Sequence, residues 1–117
     1  MSAEAFVETV VTTDGARATL RRAHARELCN GHFPDEPLLP GAYVLGLMAD
    51  LAGALLAERG IAGRLAEVVQ SSFLLPLRPH ADVELHARVE NESGAATVTV
   101  EAHTRGRPAA RATLRFA

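Results

Sequence analysis

The segment Ala42–Arg59, AYVLGLMADLAGALLAER, constrains this chain more than any other. Its length and composition predict a helix, with Gly60 as a C-cap and Arg59 in the last turn. The apolar residues do not form a stripe but run nearly all the way round. A helix apolar on every side is expected to be buried on every side. A bilayer would need ~20 apolar residues in a row. The wider run Leu38–Ala57 contains Pro40, Gly41 and Asp50, so its charge-free part is too short. No membrane is expected, and the rest of the chain must wrap the helix. At 117 residues the chain reads as one domain, 1–117, with material for one core and not two.

The wrapping material is β-strand. Ala5–Thr13 (AFVETVVTT) is β-branched, Asp14-Gly15 is a hairpin signal, and Ala16–Arg22 reads as the return strand with Ala16, Ala18 and Leu20 inward. Leu65–Leu75 is a strand ended by Pro76. Asp82–Glu90 alternates cleanly, with Val83, Leu85, Ala87 and Val89 on one face and Glu84, His86, Arg88 and Glu90 on the other. Ala95–Thr104 repeats the pattern with Val98, Val100 and Ala102 inward. Ala109–Phe116 closes it with Ala110, Ala112, Leu114 and Phe116 inward. Two strands, a loop, a helix and about four strands predict an α+β architecture: an antiparallel sheet curled around one central helix.

Composition removes several function classes. The net charge is −2, from 12 basic and 14 acidic residues, so nothing draws the chain to nucleic acid. Aromatics make up 4%, too few for a base-stacking surface. A lone Cys29 allows neither an intrachain disulfide nor a cysteine metal site. No basic segment followed by an apolar stretch opens the chain, so a cytoplasmic location is expected, where one reduced cysteine is ordinary.

Between the hairpin and the helix lies His32–Gly41, HFPDEPLLPG, with three prolines in ten residues. It must be a rigid loop. Read from Gly31, it gives Gly31-His32-Phe33-Pro34-x-x-Pro37-x-x-Pro40-Gly41. This resembles the signature of the beta-hydroxyacyl-acyl-carrier-protein dehydratases: seven fixed positions in eleven, directly before a long apolar helix. Phe73-x-x-Pro76-x-x-Pro79 resembles the same family's strand-and-turn pattern. The resemblance implies the hot-dog fold, about six strands around the helix. It also implies a substrate on the phosphopantetheine arm of an acyl carrier protein, and neither metal nor other cofactor. Two protomers would pair their sheets, each site taking its histidine from one chain and its acid from the other.

Dehydration of a 3-hydroxyacyl thioester needs a base for the α-proton, a donor for the enolate oxygen and an acid for the departing hydroxyl. His32 has the right titration range for the base, and the prolines hold its ring in place. Gly41 opens the helix, where a side-chain-free backbone lets a carbonyl approach an N–H at the positive end of the dipole. The resemblance implies the same two roles. Phe33 and Tyr43, flanking them, are the further candidate substrate contacts.

The third role is displaced. The family places an acid on the helix fourteen residues after the histidine, and Gly46 stands there. The pattern acid-x-x-x-Gln becomes Gly46-Leu47-Met48-Ala49-Asp50. Residues four apart share a helix face, so Asp50 points the same way about 6 Å further along. As the only charge in an apolar stretch it is expected to be buried, with a partner, a water or a raised pKa. It is therefore either the substitute acid or a structural carboxylate. His86 and His103 fall on polar strand faces and read as surface. Cys29 has nothing beside it in sequence to activate it and reads as packing. The first expectation is a 3-hydroxyacyl-carrier-protein dehydratase, as homodimer or heterodimer. Its alternatives are a non-catalytic or half-catalytic subunit of a heterodimeric dehydratase, beside an acid-bearing partner in a specialised lipid, polyene or polyketide pathway, and a hot-dog thioesterase.

Overall fold

The structure, a computed structural model, describes residues 6–20, 40–78, 82–92 and 94–117. Six strands, β1 (Phe6–Val11), β2 (Ala16–Leu20), β3 (Leu65–Phe73), β4 (Val83–Asn91), β5 (Ala96–Thr104) and β6 (Arg107–Phe116), form one sheet in the order β1-β2-β4-β5-β6-β3. Every neighbouring pair is antiparallel. The helix α1 spans Gly41–Glu58 and lies across the sheet. The order of elements is the one the hydrophobic patterns predict.

Strand faces follow the alternation. Ala16, Ala18 and Leu20 of β2, Val83, Leu85 and Ala87 of β4, and Val98, Val100 and Ala102 of β5 are all buried. So are Ala110, Ala112, Leu114 and Phe116 of β6. The small alanines in this face let α1 approach closely. Met48, Leu51 and Leu55, spaced three and four apart, form the buried spine of the helix.

At its far end α1 stops in a Schellman motif. Gly60 takes φ +73°, its N–H donates to the Ala57 carbonyl at 3.0 Å, and the Ile61 N–H donates to the Leu56 carbonyl at 2.8 Å. The Arg59 guanidinium donates to the Glu92 carboxylate and to the Thr13 carbonyl. One side chain thereby ties the helix end to the β1–β2 turn and to the segment after β4.

Two expectations change here. The helix is covered on one side only. Ala42, Tyr43, Gly46 and Ala57 are exposed, and Gly53 and Asp50 are half-buried. Hydrophobicity scales count Gly and Ala as apolar, yet these residues carry so little side chain that leaving them on the surface is inexpensive. The second change concerns β3. It is an edge strand, and α1 does not cover it: Leu65, Val68, Val69 and Phe73 are 41–52% exposed. Leu65, Val68, Ser71 and Phe73 stand opposite the buried Phe116, Leu114, Ala112 and Ala110 of β6, and so share the face of the core. Leu65, Val68 and Ser71 extend that apolar face beyond the helix, while Phe73 meets its first residue, Gly41.

Candidate active site

α1 begins at Pro40, whose φ of −62° and ψ of 134° put it in the extended N-cap conformation. Its carbonyl accepts from the Tyr43 N–H at 3.1 Å and the Val44 N–H at 3.2 Å. Among the described residues no side chain caps this end, and the first turn holds no acidic residue. Among the described residues nothing accepts from the N–H groups of Gly41 and Ala42. Such a helix start carries a partial positive charge with two free donors directed away from the helix.

Gly41 has a neighbour that motif spacing does not reveal. A Cβ on this residue would lie 3.3 Å from Cζ of Phe73 and 3.5 and 3.6 Å from its Cε atoms. The Phe73 ring therefore packs closely against the place where a side chain on this residue would begin. Phe73 is itself 46% exposed, so its other side is open. The backbone behind it is fixed. Phe73 is in register with Ala110, and the N–H groups of Leu74 and Leu75 both donate to the buried Ala109 carbonyl, at 2.7 and 3.1 Å.

Tyr43, Gly46 and Asp50 follow one another along the outward face of α1. Tyr43 is 55% exposed. A Cβ built on Gly46 would meet nothing within 4 Å, nor would one on Gly53. This corrects the expectation of a tightly packed helix face at Gly46. Asp50 is half-buried and not enclosed, because the face it occupies is the uncovered one. Among the described residues no hydrogen bond or ion pair reaches its carboxylate. On this half-open face solvent reaches the carboxylate in place of a protein partner.

His32 and Phe33 lie outside the described residues, as do Cys29 and Pro79. The structure thus sets Gly41, Tyr43 and Asp50 along one helix and places Phe73 of β3 beside Gly41. His86 and His103 lie on β4 and β5, on the outer face of the sheet as their alternation predicts. Their rings lie 4.7 Å apart between Glu84 and Glu101. Among the described residues no group of three histidine, cysteine or carboxylate side chains is placed to hold a metal.

Among the described residues, one helix starting at Pro-Gly lies across a six-stranded antiparallel sheet with the apolar strand β3 at its edge, and this is the hot-dog fold. Solved structures bear this out. The dehydratase heterocomplex ApeI:P from Xenorhabdus doucetiae superposes with a TM-score of 0.73 at 21% identity, over 90% of this chain and 88% of that one. A hypothetical thioesterase from Streptococcus pneumoniae, solved with coenzyme A, gives 0.82 at 13% identity, over 98% and 88%. At these identities the likeness is one of fold alone. Sequence goes further: the family model described as ApeI dehydratase matches residues 8–111. The chain belongs to the ApeI-like dehydratase family. It is also 32% identical over 96 residues to the 3-hydroxyacyl-[acyl-carrier-protein] dehydratase FabZ of Allorhizobium ampelinum. That match covers 76% of this chain and 62% of the relative, so the chain spans less than two thirds of that protein's length.

Proposed function

We propose that the chain is a cytoplasmic dehydratase acting on 3-hydroxyacyl thioesters carried by an acyl carrier protein, releasing water and the 2-enoyl thioester. The observation that carries this reading is the start of α1. Among the described residues Gly41, the last residue of the GHFPxxPxxPG sequence, and Ala42 present uncapped N–H groups, with an apolar ring beside Gly41. A developing enolate oxygen is the charge that such a pair of donors stabilises.

In this reading His32 removes the proton from C2. The electron pair moves toward the thioester oxygen, held at the Gly41 N–H. The C2=C3 double bond then forms as the C3–O bond breaks, and the hydroxyl leaves as water with a proton from Asp50 of the paired chain. Solvent returns the proton from His32 to Asp50 and closes the cycle. No other cofactor enters. Phe33 and Tyr43 contact the acyl arm. Two hot-dog chains pair edge to edge along β3, which places the outward faces of both helices at or near the shared sites.

A second reading has its own support. Gly46 has open space where the related enzymes have their acid, and one solved neighbour is named a dehydratase heterocomplex. On this reading the chain contributes His32 and Gly41, and a partner chain contributes the carboxyl. One experiment separates the two. Purified chain is incubated alone with a 3-hydroxyacyl carrier protein, and loss of water is followed by mass spectrometry. Activity of the wild type that Asp50→Asn abolishes, with folding kept, supports the first reading. Inactivity of the wild type alone, relieved by Gly46→Glu or by an acid-bearing hot-dog partner, supports the second.

A further inference from the structure

Gly41 is the expected point of close approach between substrate and backbone, and absence of a side chain is the expected reason. The structure adds that the vacated space is not empty: the Phe73 ring stands 3.3 Å from the Cβ position. We infer that Phe73 is a positioning residue for the thioester end of the substrate. Its ring forms one wall of the approach to the Gly41 N–H, fixing the direction from which a carbonyl oxygen reaches that donor. The inference rests on the proposed role of Gly41 and extends it to a residue of another element.

Three features make the ring fit for this. It comes from the last residue of β3, and the chain just after it is pinned by two hydrogen bonds to the Ala109 carbonyl, so it is aimed by sheet and not by loop. It is apolar, and it excludes water from one side of a donor whose strength against a developing oxyanion rises as the local dielectric falls. It is also half-open, at 46% exposure, so its free side is left for the acyl arm. Gly41 is then required for two separable reasons: it leaves the N–H accessible, and it leaves Phe73 where it is. At 3.3 Å an added methyl forces the ring to give way by a few tenths of an ångström.

The test is a cycle of Gly41→Ala, Phe73→Leu and the double variant. Leucine keeps apolar bulk but lacks the ring atoms that approach Gly41. Dehydration is measured per folded oligomer, with fold and assembly checked by circular dichroism and light scattering. Each single variant is expected to lose about tenfold, mostly in kcat, which is part of the roughly 10²–10³-fold cost of losing an oxyanion donor. If both act through one contact, the double variant loses no more than the worse single variant. Losses that multiply, or full kcat in Phe73→Leu, overturn the inference. Affinity for a non-reactive 3-hydroxyacyl-pantetheine amide is read in parallel. A wild type that binds the amide yet releases no enoyl product overturns the dehydratase reading only. The same cycle read in amide affinity then decides on Phe73, by the same criterion.

Discussion

Gly46 and Asp50 carry most of what is unusual in this chain. Glycine inside a helix is less stable than alanine by roughly 0.5–1 kcal/mol, because the unfolded chain loses more freedom on folding. At Gly46 nothing offsets this in the single chain, since a Cβ there meets no atom within 4 Å. Gly46→Ala is therefore expected to stabilise the isolated chain by about 0.5–1 kcal/mol, seen as a rise in the urea midpoint with an unchanged slope. A fall would mean that the position is packed. Gly46→Glu should be accepted for the same reason, so failure of that variant to restore activity would speak against the half-site reading and not against its folding. The surroundings of Gly46 were not legible in the sequence, since apolar composition alone does not separate a smooth exposed face from a buried one. Asp50 was misplaced by the same route: in a helix apolar all round it had to be buried, whereas it sits half-buried on the outward face.

At the scale of elements, the strands were read well because period-two alternation reports burial directly. In β4, Val83, Leu85 and Ala87 are buried, and Glu84 and Arg88 are exposed. The patterns could not say which strand lies at an edge. β3 reads as one more wrapping strand, and only its pairing with β6 alone leaves it open. Contacts between distant elements were equally hidden, Phe73 against Gly41 being the one that bears on the site. Arg59 is another, joining the end of α1 to Thr13 and Glu92. Its side chain is 27% exposed and Glu92's is 44%, so the ion pair itself contributes little. The bond to the Thr13 carbonyl crosses between elements, and Arg59→Met, which keeps the aliphatic stem, should cost ~1 kcal/mol. That loss is to be read by urea unfolding, beside faster amide exchange in the β1–β2 turn. Unchanged exchange there would refute the clasp.

For the whole molecule, the bare edge is the dominant fact. Leu65, Val68, Val69, Phe73 and Leu74 are 41–67% exposed along or just beyond a strand whose outer N–H and C=O groups have no sheet partner among the described residues. An open apolar edge invites another strand, and natural proteins otherwise blunt such edges with charge or proline. Glu67 is the only charged residue within β3, and it is held at 3.0 Å by Arg115 of the neighbouring β6. Light scattering at micromolar concentration should therefore report a dimer, of this chain or with a second hot-dog chain. Val69→Lys should shift it to monomer and lower dehydration in parallel, because the shared sites are then split. A wild-type monomer with full activity would contradict this arrangement.

The central claim is that the His32–Gly41 loop and the start of α1 still perform dehydration. The measurement that tests it most directly is the turnover of a 3-hydroxyacyl carrier protein by wild-type and His32→Ala protein, each in its native assembly, followed as loss of water by mass. Wild-type turnover is expected to be measurable and to fall about 10²–10⁴-fold in a folded His32→Ala variant, the range for loss of a general acid–base group. Full activity in a normally folded His32→Ala protein would contradict it.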